Sequence, residues 1–233
     1  MNYFMNSLVA RVDNSALEYE TATIADVLSS TEHRSAILII GPTLSNKDEI
    51  AFDLLAESWS EETAPFAVTA SDSGRSLRSR LREFVPRGRS VADLYVIDCS
   101  ESPDAESESA CSVASPADLT GVGICLSKGY DRHGTGGDRC VLIDNLSTLL
   151  IYSDIGRVYR FLSVINSRIA DVGDTTVQLL DADAISSEDK TKLFQLFSTI
   201  IQVRMESGTM LFRLRGDTNT EWYEYRRLER ENE

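Results

Sequence analysis

The chain has 233 residues, 42% of them hydrophobic, and its 37 acidic residues against 23 basic ones leave a formal net charge of −14. That length suits one large α/β domain, or a domain with a small appendage, with a substantial buried core. The charge disfavours broad binding to nucleic acid or to an anionic membrane. Only four of the basic residues are lysines (Lys47, Lys128, Lys190, Lys192). An acidic, lysine-poor surface is expected where a salt-rich cytoplasm screens self-repulsion; the plainer reading is an ordinary acidic protein.

Residues 1–23 read as an N-terminal extension. Its opening, MNYFMNSLVARVDN, has no charged n-region and no sustained apolar stretch, so no signal peptide is expected. Residues 24–29 form a short helix. Ile37–Ile40 is a buried parallel strand ended by Gly41, and an amphipathic helix follows over Asn46–Ser58, with Ile50, Leu54 and Leu55 at helical spacing. The turn between them has part of the phosphate-binding pattern G-x-x-x-x-G-K-[ST]. Gly41 and Lys47 match it. Asn46 stands for the second glycine and Asp48 for the Ser or Thr that helps hold magnesium. Such loops cradle phosphates with successive backbone N–H groups. Pro42 has none to give, and Asn46 reaches positive φ less readily than glycine. The candidate nucleotide-contacting residues are Gly41, Thr43, Ser45, Asn46, Lys47 and Asp48. Lys47 would meet phosphate beside the positive end of the helix. Read instead as a surface lysine paired with Asp48 or Glu49, it should be replaceable at a cost of a few tenths of a kcal/mol.

Phe66–Ala70 is the next strand, and Gly74–Val85 a helix with Leu77, Leu81, Phe84 and Val85 on one face. Asp72 stands in a Ser-Asp-Ser-Gly run that reads as an ordinary helix cap. Arg75, Arg78, Arg80, Arg82, Arg87 and Arg89 are the one basic concentration. They read as a docking patch or as a solvated face pairing with the chain's own carboxylates. No aromatic residues interleave, so nucleic acid is not expected there. Leu94–Cys99 is a strand ending in the acid Asp98, and residues 101–116, rich in Ser and acid, form a flexible loop. Val122–Leu126 reads as a strand and 128–138 as a glycine-rich connector carrying an exposed His133.

Strand Val141–Ile143 ends at Asp144. A helix runs from Ile155 to Ala170 with Val158, Leu162, Ile165 and Ile169 inward. Strand Thr176–Leu180 and helix Ser187–Phe197, capped by Ser187, come next. Ile200–Met205 and Met210–Leu214 close the chain as hairpin strands before a tail over 217–233 that carries Trp222, Tyr223 and Tyr225. The longest apolar run, Cys140–Tyr152, is broken by Asp144 and Asn145, so no membrane span is expected. The cysteines show no C-x-x-C spacing. Cys99, Cys125 and Cys140 read as small core residues of a reducing cytoplasm, and no metal site is expected.

The order of parts resembles the RecA/KaiC class of P-loop ATPases. Three segments, Ser115–Ile124 (SPADLTGVGI), Leu142–Leu150 (LIDNLSTLL) and Arg157–Leu162 (RVYRFL), are similar to a haloarchaeal family of RecA/KaiC-like proteins of unknown function. The resemblance spans most of residues 24–205. It implies a single domain with a mostly parallel sheet flanked by helices and antiparallel C-terminal edge strands. It also places Asp144 at the magnesium-binding acid position, adding it to the candidate nucleotide residues, and Asp72 where such ATPases often carry a catalytic glutamate. The leading expectation is a non-catalytic pseudo-ATPase, a scaffold or a regulatory, signalling module that binds a protein partner or itself, with no catalytic residue and no obligate cofactor. The alternatives are a switch that binds ATP and magnesium weakly through Lys47, and a weak ATPase using Asp48 and Asp144 on the metal.

Overall fold

The computed structural model describes residues 19–29, 35–100 and 110–228. Its frame is one ten-stranded sheet. In chain order the strands are β1 (Thr21–Ala22), β2 (Ala36–Gly41), β3 (Phe66–Thr69), β4 (Tyr95–Asp98), β5 (Ala110–Ser112), β6 (Cys140–Asp144), β7 (Thr175–Asp181), β8 (Thr199–Glu206), β9 (Thr209–Gly216) and β10 (Tyr223–Tyr225). They lie in the order β1-β10-β9-β8-β2-β7-β6-β3-β4-β5. From β8 through β5 every neighbouring pair is parallel, and β9 runs antiparallel to β8 and β10. Strands buried on both faces must be apolar throughout, which is why AILIIG, FAVT and CVLID were legible as strands.

The helices divide between the two faces. On one, α1 (Ile24–Leu28), α2 (Lys47–Glu57) and α3 (Gly74–Leu81) cover Ile37, Ile39, Ala67, Val96 and Leu142. On the other, α4 (Leu119–His133), α5 (Leu146–Tyr152), α6 (Ile155–Asp171) and α7 (Ser187–Phe194) cover Leu38, Ile40, Val68, Ile97 and Ile143. No helix among the described residues is long and apolar enough to cross a membrane.

Several expectations change. Val122–Leu126 is not a strand but the middle of α4. Val122, Ile124 and Leu126 alternate as a strand would, yet Leu119, Val122, Cys125, Leu126 and Gly129 are the residues buried, at three- and four-residue spacing. Gly129 has no room for a side chain, because a Cβ there would sit 2.7 Å from the Tyr95 ring. His133 is half-buried at the end of this helix, edge-on to Phe66, rather than exposed in a loop. Of the acidic Ser-rich stretch, residues 101–109 lie outside the described residues, while Ala110–Ser112 forms the edge strand β5. Cys125 is not a free core thiol: it is bonded to Cys111, joining α4 to β5. Cys99 and Cys140 are free and buried, and burial pushes the Cys99 thiol up to about 12.

The helix that begins at Gly74 ends at Leu81. The last short helix ends at Phe194, and its cap is Ser186, which accepts from the Asp189 N–H, rather than Ser187. Part of the extension and part of the tail join the sheet as β1 and β10; residues 1–18 and 229–233 lie outside the described residues.

Candidate functional site

The strand ends of β2, β6 and β7 converge with the starts of α2 and α5, and α3 reaches in from the side. β2 leads straight into the loop that begins at Gly41. A Cβ on Gly41 would lie 2.9 Å from the Val203 Cβ and 3.0 Å from its carbonyl oxygen, so this glycine is required by the approach of β8. Within the loop Leu44 has φ 61° and Asn46 φ 54°. Asn46 takes up the left-handed conformation that the missing glycine would have supplied, which asparagine tolerates better than most residues. Leu44 is 92% exposed at the loop tip, and Thr43 is exposed beside it. Ser45 is buried, its hydroxyl without a hydrogen-bond partner.

Lys47 does not pair with Asp48 or Glu49. Its ammonium lies 2.6 Å from Asp181 Oδ1 and 3.1 Å from the Pro42 carbonyl oxygen, and both side chains of the ion pair are largely buried. Asp181 ends β7. Asn145 Nδ2 donates to its second oxygen over 3.1 Å, and its backbone N–H donates to Ser147 Oγ over 2.9 Å. Burial opposes charge on Asp181, but the hydrogen bond and charge of Lys47, helped by Asn145 and Ser147, hold its carboxyl below the ordinary range.

The carboxylates of Asp48 and Asp144 are bridged by one guanidinium. Arg80 of α3 places Nη2 2.7 Å from Asp48 Oδ2 and Nη1 3.2 Å from Asp144 Oδ2, with the guanidinium also 5.1 Å from the centre of the Phe52 ring. Asp144 is almost fully buried. Burial raises its pKa, Arg80 pulls it down, and the neighbouring charges of Asp48 and Asp72 push it up again, for a net rise. Asp72 itself serves the turn into α3. It accepts from the Ser73 N–H over 2.8 Å and from the Ser76 hydroxyl, while Ser73 is the helix cap.

The fold therefore brings Gly41, Ser45, Asn46, Lys47, Asp48 and Asp144 into one neighbourhood, and it adds Arg80, Asp181, Asn145 and Ser147. Asp181 had a visible signal, since it ends an apolar strand as Asp144 does. Arg80 had none that set it apart from the arginines around it. The basic concentration is not one patch: Arg80 turns into this site, Arg78 hydrogen-bonds the Val91 and Leu94 carbonyls, and Arg89 pairs with Glu61.

The lysine is held by Asp181, the two carboxylates already share a cation, and Asp48 and Glu49 put negative charge in the first turn of α2 where phosphate would arrive. Among the described residues no group of three or more His, Cys, Asp or Glu is placed to hold a metal ion.

A family model described as "Family of unknown function (DUF7504)" matches residues 34–203. No curated protein matches the chain. Among solved structures it is similar to the KaiC-like protein PH0186 of the hyperthermophilic archaeon Pyrococcus horikoshii OT3. The TM-score is 0.56 at 11% identity, covering 89% of this chain and 92% of that one. At that identity the likeness is one of fold.

Proposed function

The chain belongs to DUF7504, a family of unknown function, and from its own site we propose that it is a non-catalytic member of the RecA/KaiC-like fold: a scaffold or regulatory module that acts by binding a protein. The observation that carries this reading is Arg80. Its guanidinium sits between Asp48 and Asp144, the two carboxylates that a divalent cation would have to bridge. A fixed internal cation there stands in the place of the metal on which phosphoryl transfer depends. The acidic, lysine-poor composition fits a role in a salt-rich cytoplasm.

The test is thermal unfolding with and without millimolar Mg·ATP, paired with an assay for phosphate release. Neither a shift in midpoint nor release of phosphate is expected. The same reading predicts a gain in the Arg80→Ala variant. Its two carboxylates lose their shared cation, so millimolar Mn²⁺ should raise the midpoint of the variant and leave the parent unmoved.

The buried, unpartnered Ser45 hydroxyl favours a second reading, a weak ATP-binding switch. That reading predicts stabilisation growing with nucleotide concentration, about 2.7 kcal/mol at a hundredfold excess over Kd, and lost in Lys47→Ala. Such a result would replace the scaffold.

A further inference from the structure

On the sheet face away from α1–α3, helices α4 and α6 leave a groove of about 460 Å³ between them. Its middle is apolar. Ile124 is 53% exposed and Val164 49%, with Phe161 beside them. Gly123 lies in the same groove, and a Cβ built on it meets nothing within 4 Å. Arg157 and Arg160 stand toward the N-terminal end of α6 and Arg168 toward its C-terminal end. Asp131 and Asp171 line the adjoining hollow beyond Arg168.

None of the three arginines makes an ion pair among the described residues, in a chain with a net charge of −14. Arg157 also occupies the first turn of α6, where the helix dipole disfavours a cation. The Asp154 carboxylate accepts from the Arg157 backbone N–H over 3.0 Å and so caps the helix rather than pairing with the guanidinium. Arg157 and Arg168, eleven residues apart, are separated by about 17 Å along the axis, three turns of helix.

We propose that this groove docks a short acidic amphipathic helix of a protein partner. The partner's apolar side chains seat on Ile124, Phe161 and Val164, and carboxylates at its two ends meet Arg157 and Arg160 on one side and Arg168 on the other. Helix-in-groove recognition uses such spaced apolar anchors, and charge at the rim sets orientation and rate of encounter. A nucleic acid gains nothing from the exposed Ile124 and Val164 and is opposed by the net charge. The acidic helix α7 of a second copy does not supply such a segment: its opening acids are paired with Lys192 and its Leu193 is buried. The proposal gives a surface to the interaction module above and rests on that reading. The groove shares no residue with the Lys47–Arg80 site, so the two are read separately.

The test is fluorescence anisotropy of a labelled synthetic peptide about four turns long, with glutamates at both ends and leucines at helical spacing between them. Saturable binding to the full chain is expected. Gly123→Leu fills the groove from a position with open space, and Arg160→Glu reverses one rim charge. Each should weaken binding at least tenfold without lowering the thermal midpoint. A peptide with lysine ends should bind the triple variant Arg157→Glu, Arg160→Glu, Arg168→Glu better than the acidic peptide does. Absence of saturable binding, or equal binding by the variants, overturns the proposal. So does binding of single-stranded DNA in place of the peptide, or a dimer that dissociates on Arg160→Glu. A Mg·ATP shift in a sample that binds the peptide counts against the scaffold reading alone.

Discussion

Lys47 changes meaning once Asp181 is seen. A lysine on a helix surface is replaceable at little cost, but Lys47 is one half of a largely buried ion pair, and its removal leaves the Asp181 carboxylate with the Asn145 Nδ2 donor but without its cation. Lys47→Ala should therefore lower stability by about 3 kcal/mol, measurable by urea denaturation; a loss of a few tenths would show the pair to be absent. Asp181 also sets part of the response to acid. Its folded-state pKa lies below the ordinary value of 3.8, so its contribution is present above that value and is lost as the pH falls through the folded pKa. Asp144, whose pKa is raised, pulls the other way. Against the parent, Asp181→Asn should be less stable at neutral pH and should lose less stability below about pH 4. An equally steep acid transition in both proteins would remove Asp181 from that account. Neither partner could be assigned from the sequence, because residues 47 and 181 meet only when β2 and β7 become neighbours.

Among the elements, legibility followed burial pattern. β2, β3, β6 and β7 are continuous apolar runs with one structural solution, and α6 has a clean inward stripe of Val158, Leu162, Ile165 and Ile169. α4 was hidden because Gly121, Gly123 and Gly129 weaken helix propensity while Val122, Ile124 and Leu126 imitate a strand. Gly129 is packed so closely against Tyr95 and Phe66 that Gly129→Ala should cost about 1–3 kcal/mol despite the better helix former. Neutral or improved stability would mean α4 sits further from the sheet. The Cys111–Cys125 bond had no spacing signal, since it closes a fourteen-residue separation between an edge strand and a helix. A loop of that size is worth about 3 kcal/mol in chain entropy. A reductant, or Cys111→Ser, should lower stability by up to that amount; no change would show the bond contributes nothing.

At the scale of the molecule, charge is the governing quantity. With −14 on 233 residues and only four lysines, self-repulsion opposes the folded state at low ionic strength. Raising KCl from about 0.1 M to about 1 M shortens the screening length from about 10 Å to about 3 Å, so the thermal midpoint should rise across that range. A flat or falling midpoint would separate this chain from salt-adapted proteins. The fold itself could be read at this scale, through the order of strands and helices. What the site does could not, because its ionic contacts join residues from α2, α3, β6 and β7. That joining bears on redesign. Placing glycine at 46 and a hydroxyl at 48 would rewrite the loop, yet it would leave Arg80 with Asp144 alone and Asp181 still on the lysine. Each further single substitution among these charges would strand a partner before its counterpart changed. Changes confined to the loop therefore leave the ion pairs behind it in place.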